Sequence, residues 1–258
     1  MIRNQTTTRG LGLDVPTTSA KSETQPSSEF ICDAVNDFVF HPKAMDVAKC
    51  LVTTGAYGVK LRESKSQWLT WKSGIRAPVY CDCRALNCHS LERKLVSKTL
   101  TECIRQSFPQ TEVIVGMATA GVSWGRVVAD ELDLPFAYVR QAAKTHGTGT
   151  LVEGDPPRGK KAIIVDDLVA SGSSILVAIN ALKTEADIEA TCVQSIVNWG
   201  FEGMRRSLAA FPFKALTSFP QILMNACLHG LINQHEFVEL LAFYNDPVHH
   251  KWLNHPDL

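Results

Sequence analysis

Two adjacent carboxylates, Asp166 and Asp167, stand at the end of the apolar run Ala162 to Val165, and Ala170-Ser-Gly-Ser-Ser174 follows directly. Carboxylates accept hydrogen bonds and repel phosphate oxygens, so the pair suits sugar hydroxyls or a metal-bound water. The loop suits the opposite charge. Ser171, Ser173 and Ser174 bring hydroxyl donors, Gly172 allows close approach of the backbone, and an apolar-periodic run with Ile175, Leu176, Ile179 and Leu182 reads as a helix opening behind it. A loop of small residues at a helix start presents backbone N–H groups and the positive end of the dipole to an anion. One ligand needs both halves: a phosphorylated ribose, with its phosphate in the loop and its hydroxyls on the acids. The plainer alternative is a doubly wound strand–loop–helix with two solvated acids, and the order of run, acids and loop favours the ligand. No Gly-Lys-Ser/Thr follows, which excludes a P-loop.

The elements that must position this stretch are those of an α/β protein. Ala162 to Val165 is continuously apolar and reads as a strand of a parallel sheet buried on both faces. A second strand–Gly loop–helix unit precedes it: a strand over 112–116, Gly116-Met-Ala-Thr-Ala-Gly121, then a helix to about Leu132. Further strands are expected at 134–139, 188–197 and, as an edge, 213–216. Helices are expected at 91–108, 203–211, from Ser218 to about His229, and from a capping box at Asn233-Gln-His-Glu236 to Phe243. Alternating strands and helices imply a mainly parallel sheet, with the ligand at the carboxyl ends of its strands.

Upstream, 30–52 carries helical periodicity broken at His41-Pro42 and stopped by Gly55. Trp68-Leu-Thr-Trp-Lys-Ser-Gly74 and Pro78-Val-Tyr-Cys-Asp-Cys-Arg84 read as a hairpin turning at Ser73-Gly74. Cys81, Cys83, Cys88 and His89 lie close together, but C-x-C lacks the usual zinc-knuckle spacing, so zinc is the weaker reading. The divisions expected are a disordered tail over 1–29, helices and hairpin over 30–110, the ligand-binding core over 111–217 and a helical extension over 218–258. A transit peptide is the weaker reading of the tail, since Asp14 and Glu23 oppose it.

Lys plus Arg and Asp plus Glu number 26 each in 258 residues, so composition gives no support for nucleic-acid or membrane-surface binding. No apolar run is long enough to span a bilayer. The cysteines at 50, 103, 192 and 227 sit in apolar-periodic segments, consistent with a reducing, cytoplasmic compartment. The length leaves no room for a second barrel domain.

Val165-Asp-Asp-Leu-Val-Ala-Ser-Gly-Ser-Ser174 resembles the phosphoribosyl-pyrophosphate (PRPP) motif of type I phosphoribosyltransferases. Leu69-Thr-Trp-Lys-Ser-Gly74 and Ala77-Pro-Val-Tyr-Cys-Asp-Cys-Arg84 narrow this to a resemblance to orotate phosphoribosyltransferases, which carry Phe-Thr-Leu-Lys-Ser-Gly-like and Ser-Pro-x-Tyr-x-Asp-x-Arg segments. The resemblance extends, with unequal strength, from about Asp33 to Trp252. It implies a type I phosphoribosyltransferase fold with an N-terminal helix and hairpin hood and a C-terminal helical extension. It implies PRPP contacts from Thr119, Ala120, Gly121, Asp166, Asp167, Leu168, Val169, Ala170, Ser171, Gly172, Ser173 and Ser174. Base contacts would come from Lys72, Tyr80, Ala170 and Asn198. Catalytic roles fall to Lys72, Arg140, Lys144, His146 and Asp167. Mg²⁺ would be carried by PRPP with no direct side-chain ligand. The segment 140–158 would be a mobile lid reaching into the partner's site of a homodimer.

Two departures from the family pattern stand out. Gln141 and Ala142 occupy the place of an additional lid lysine, and Asn198-Trp199 resembles a Thr-aromatic variant of the Asp-Arg pair that holds the orotate carboxylate in other members. They keep two alternatives open, a phosphoribosyltransferase for another base and a non-catalytic PRPP sensor.

Overall fold

The computed structural model describes residues 42–71, 74–142 and 149–248; the tail, the part of the helical stretch expected before His41-Pro42 and the last ten residues lie outside these. Its centre is a six-stranded sheet. In chain order its strands are β5 (Val113–Met117), β6 (Phe136–Val139), β7 (Val152–Glu153), β8 (Lys161–Val169), β9 (Glu189–Asn198) and β10 (Phe213–Ser218). They lie side by side as β10-β9-β8-β5-β6-β7, all parallel except β7, which runs antiparallel to β6.

Neighbouring residues of each central strand serve opposite faces, which is why these strands are apolar throughout. Ile114, Ile163, Val165, Cys192 and Ile196 join one core, with the helices α1 (Ala44–Thr53), α2 (Ser90–Ser107), α3 (Ala120–Leu132), α6 (Phe219–Leu228) and α7 (Gln234–Asn245). Val113, Val115, Ala162, Ile164 and Val193 join the other, under Ile175, Ala178 and Leu182 of α4 (Ser173–Ala186) and beside α5 (Glu202–Ser207). The fold is thus the expected α/β architecture, a parallel sheet with helices on both faces.

Local chemistry explains the helix ends. Ser218 and Gln221 form a capping box at α6 with Pro220 in the first turn, and Asn233 and Glu236 form another at α7. Glu236 also accepts two hydrogen bonds from the guanidinium of Arg62, one at 2.7 Å, tying the C-terminal extension to the N-terminal region. Among the described residues no helix is long and apolar enough to cross a membrane.

The hairpin differs from expectation. Leu69–Thr70 (β2) pairs with Arg76–Ala77 (β3), while Val79–Cys81 (β4) pairs with Tyr57–Val59 (β1). Pro78, between the two short strands, exposes why: it brings no N–H to a continuing ladder, and its carbonyl instead accepts from Lys60 N. Cys83–Cys88 is a 3₁₀ turn capped by Asp82, so the segment after Cys81 is not strand. The stretch 140–158, read as one long lid, contains β7, whose entry is fixed by the N–H groups of Leu151 and Val152 on the Glu185 carboxylate at 2.9 and 3.0 Å.

Candidate active site

The chain runs from β5 to β6 on one side and then crosses to β8 on the other. The sheet order therefore reverses between β5 and β8, and the loops after these two strands open a crevice at their carboxyl ends. A cleft of about 680 Å³ lies there, a size that suits a small phosphorylated substrate.

Asp166, Asp167, Leu168 and Val169 form the last residues of β8 and face the cleft with the Ala170-Ser-Gly-Ser-Ser174 loop. The Asp167 N–H donates to Asp166 Oδ1 at 2.9 Å, which orients the first acid. Burial is the largest influence on Asp167 and raises its carboxyl above the usual range, opposed by hydrogen bonds with Asp166 and with the backbone N–H groups of Leu168 and Asp167. Gly172 adopts the left-handed conformation, φ 76°, and caps α4 without any side-chain hydrogen bond to the first turn. The leading N–H groups of α4 thus keep their donors for a ligand. The Ser171 and Ser173 hydroxyls meet at 3.0 Å beside them.

The second loop, Ala118-Thr119-Ala120 between β5 and α3, forms the facing wall, and the Ala118–Thr119 peptide is cis. Gly121 sits behind it. A Cβ there would stand 2.5 Å from the Val165 carbonyl oxygen, so its absence lets α3 lie directly on β8. Arg140, at the end of β6, reaches the cleft and pairs with Glu153 of β7 at 3.5 Å.

The hood supplies the remaining wall through Trp71, Tyr80, Cys81, Asp82 and Arg84. Arg84 grips Asp82 through two hydrogen bonds of 2.6 and 2.8 Å, and this pairing holds the Asp82 carboxyl below its usual range. Trp71 packs on Trp199 at the end of β9, ring centroids 4.7 Å apart, and Phe201, Phe219 and Phe243 extend the cluster.

Of the sequence-predicted residues, Tyr80, Thr119, Ala120, Arg140 and Asp166 to Ser174 converge on this one cleft. Gly121 is buried beneath it as a packing residue. Asn198 is buried too: its Oδ1 accepts from Gly200 N at 2.7 Å, and it borders a separate cavity of about 410 Å³ beside β10, while Trp199 takes the place on the cleft. Lys72, Lys144 and His146 lie outside the described residues. Sequence reasoning gave no role to Trp71, Asp82 or Arg84. The signal for the last two was the i, i+2 spacing of opposite charges at the end of a strand.

A parallel sheet reversing beside paired acids and a Ser/Gly helix start defines the phosphoribosyltransferase class, and residues 86–209 match the phosphoribosyl transferase domain family. Over 186 residues, 71% of this chain, the sequence is 35% identical to an orotate phosphoribosyltransferase of Bacillus cereus and covers 88% of it. The chain belongs to the orotate phosphoribosyltransferase family. Among solved structures it superposes on an orotate phosphoribosyltransferase from Aeropyrum pernix with a TM-score of 0.62 and 29% identity, over 72% of this chain and 99% of that one. A UMP synthase from Leishmania donovani matches at a TM-score of 0.65, covering 78% of this chain and 42% of that longer one; at 23% identity this likeness speaks to the fold.

Proposed function

We propose that the cleft transfers a 5-phosphoribosyl group from PRPP to orotate, forming orotidine 5′-phosphate and pyrophosphate, a step of pyrimidine synthesis. The observation that carries this is the juxtaposition of Asp166 and Asp167 with the uncapped start of α4 in one cleft. The N–H groups of the loop and helix start, with Ser171, Ser173 and Ser174, take the 5′-phosphate. Asp166 and Asp167 accept hydrogen bonds from the ribose hydroxyls, holding C1 against the incoming base nitrogen.

As the C1–oxygen bond breaks, the sugar becomes oxocarbenium-like and negative charge grows on the pyrophosphate. Arg140 faces that charge, and the family resemblance adds Lys72, Lys144 and His146. In this reading His146 is the group that donates a proton to the leaving pyrophosphate, a role that His146→Asn should abolish. Mg²⁺ would come in on PRPP, held by the substrate's oxygens and by water, with Asp166 and Asp167 accepting from ribose hydroxyls and metal-bound water and no side chain coordinating it directly. Bound there, Mg²⁺ would neutralise charge on the leaving group. The functional unit in this reading is a homodimer in the cytoplasm, with the 140–158 segment closing over the partner's site.

The Trp71–Trp199 wall favours a second reading, a different planar base. The test is loss of orotate absorbance with purified protein, PRPP and Mg²⁺. The Asp166→Asn/Asp167→Asn protein should lose about a thousandfold in rate while still folding. Absence of orotate loss in the unaltered protein, with PRPP still protecting it against heat, would move the assignment to another base or to a sensor.

A further inference from the structure

The hood wall of the cleft carries two thiols that the transfer reaction does not use. Cys81 ends β4, is partly buried and faces the cleft; Cys83 opens the 3₁₀ turn and is fully buried. Their sulfurs are 3.9 Å apart, and Cys83 Sγ also lies 3.9 Å from the backbone carbonyl oxygen of Asp167. The backbone between them is held on both sides. Asp82 N donates to Ala56 O at 2.8 Å, and Asp82 Oδ1 accepts from Arg84 N at 3.0 Å. The side chains are thus presented on one side of a fixed bend, and a bond of about 2 Å needs each sulfur to move by about 1 Å.

We propose that Cys81 and Cys83 form a thiol–disulfide modification site, taking a small organic disulfide as co-reactant, and that closing it weakens binding of the ribose-phosphate ligand. The binding half rests on the PRPP reading above. Cys81, the thiol open to the cleft, loses its proton to solvent and attacks one sulfur of the small disulfide. That S–S bond breaks, and one thiol leaves with a proton. Cys83 Sγ then attacks Cys81 Sγ, gives its proton to solvent and expels the second thiol. Two protein thiols are oxidised and one small disulfide is reduced to two thiols.

The order follows from the surroundings. A hydrogen bond with Cys81, and then burial, hold the Cys83 thiol well above its ordinary value, so it is the weaker first nucleophile and resolves the mixed disulfide slowly. Drawing Cys83 toward Cys81 takes its sulfur off the Asp167 carbonyl, one bond from the backbone that aims the acid.

The experiment treats the reduced full chain with oxidised glutathione, blocks remaining thiols by alkylation and maps the peptide around residue 82 by fragmentation mass spectrometry. PRPP with Mg²⁺ is then titrated as a protectant against heat, before and after oxidation. We expect loss of the mass of two hydrogens between Cys81 and Cys83, a stalled glutathione adduct on Cys81 in Cys83→Ser, and no adduct at this wall in Cys81→Ser. Oxidation should weaken PRPP protection about tenfold or more, reversibly with dithiothreitol, in the unaltered protein and not in Cys81→Ser. Alkylation of both thiols after oxidation, a disulfide to exposed Cys88 instead, or an unchanged PRPP titration despite the bond would each overturn the proposal. A reduced protein that PRPP does not protect would overturn the PRPP reading, while the mass measurement still judges the bond.

Discussion

The β5–α3 and β8–α4 units share one architecture, a buried parallel strand, a short loop and a helix, and they meet across the same cleft. Their loops differ in what they give up. At β5–α3, side chains are removed to bring backbones together: Cβ atoms at Gly116, Gly121 and Gly125 would meet Gly121 O at 2.8 Å, Val165 O at 2.5 Å and Phe136 Cε2 at 3.0 Å. At β8–α4, polar groups are added where a ligand can use them, and the one glycine, Gly172, is there for its positive φ. The comparison teaches that the glycines of the first unit act as a spacer that fixes the width of the cleft, whereas the second unit brings most of the polar surface that recognises. Damage to the first should therefore appear in stability, and damage to the second in ligand binding.

The largest effect should come from Gly121→Ala. Its methyl would enter the Val165 carbonyl, a backbone atom that cannot rotate aside, and overpacking of this kind costs about 2–3 kcal/mol. Thermal unfolding of the apo protein should drop by several degrees. An unchanged melting temperature would remove the spacer role.

Gly172→Ala should cost less stability, about 1 kcal/mol for a side chain in the left-handed region, with Leu208 Cγ 3.0 Å from the new methyl. Its main effect should fall on PRPP, raising the KM for PRPP more than it lowers kcat. A loss confined to stability would erase the distinction between the units.

Asp167 gives the smallest and most discriminating effect. Its folded-state pKa is raised by burial, so its charged form opposes folding at pH values above that raised pKa. The penalty is relieved as pH falls through the folded value and is gone below the unfolded value near 3.8. Without ligand, Asp167→Asn should therefore melt no lower than the unaltered protein at neutral pH, and any advantage should shrink on acidification. Melting curves across pH for both proteins decide this, and a variant clearly less stable at neutral pH would show that Asp167 is structural.

Much of this was legible because the signals are local. The run 162–165, the acids and the Ser/Gly loop are contiguous, and a buried strand followed by a helix start leaves few other ways to arrange them. Capping at Ser218 and Asn233 was readable for the same reason. The hairpin was misjudged because strand pairing is a choice among distant partners: Val79–Cys81 found Tyr57–Val59, some twenty residues back, while turn chemistry at Gly74 spoke only for the nearer pairing. Asn198 and Trp199 show the same limit at the scale of a side chain. Period two places adjacent strand residues on opposite sides, but which side holds the cleft depends on where the chain crosses the sheet.

By itself the sequence determined the α/β class, the alternation of β5, β6, β8, β9 and β10 with their helices, and the chemistry of the loop at 166–174, since each rests on hydrophobic period, backbone conformation or charge within a few residues. Only the tertiary structure decided that β8 lies beside β5, that Trp71 meets Trp199, and that Cys83 rests on the Asp167 carbonyl. Those contacts join residues far apart in the chain, and their partners are selected by burial of whole faces, which local sequence does not encode.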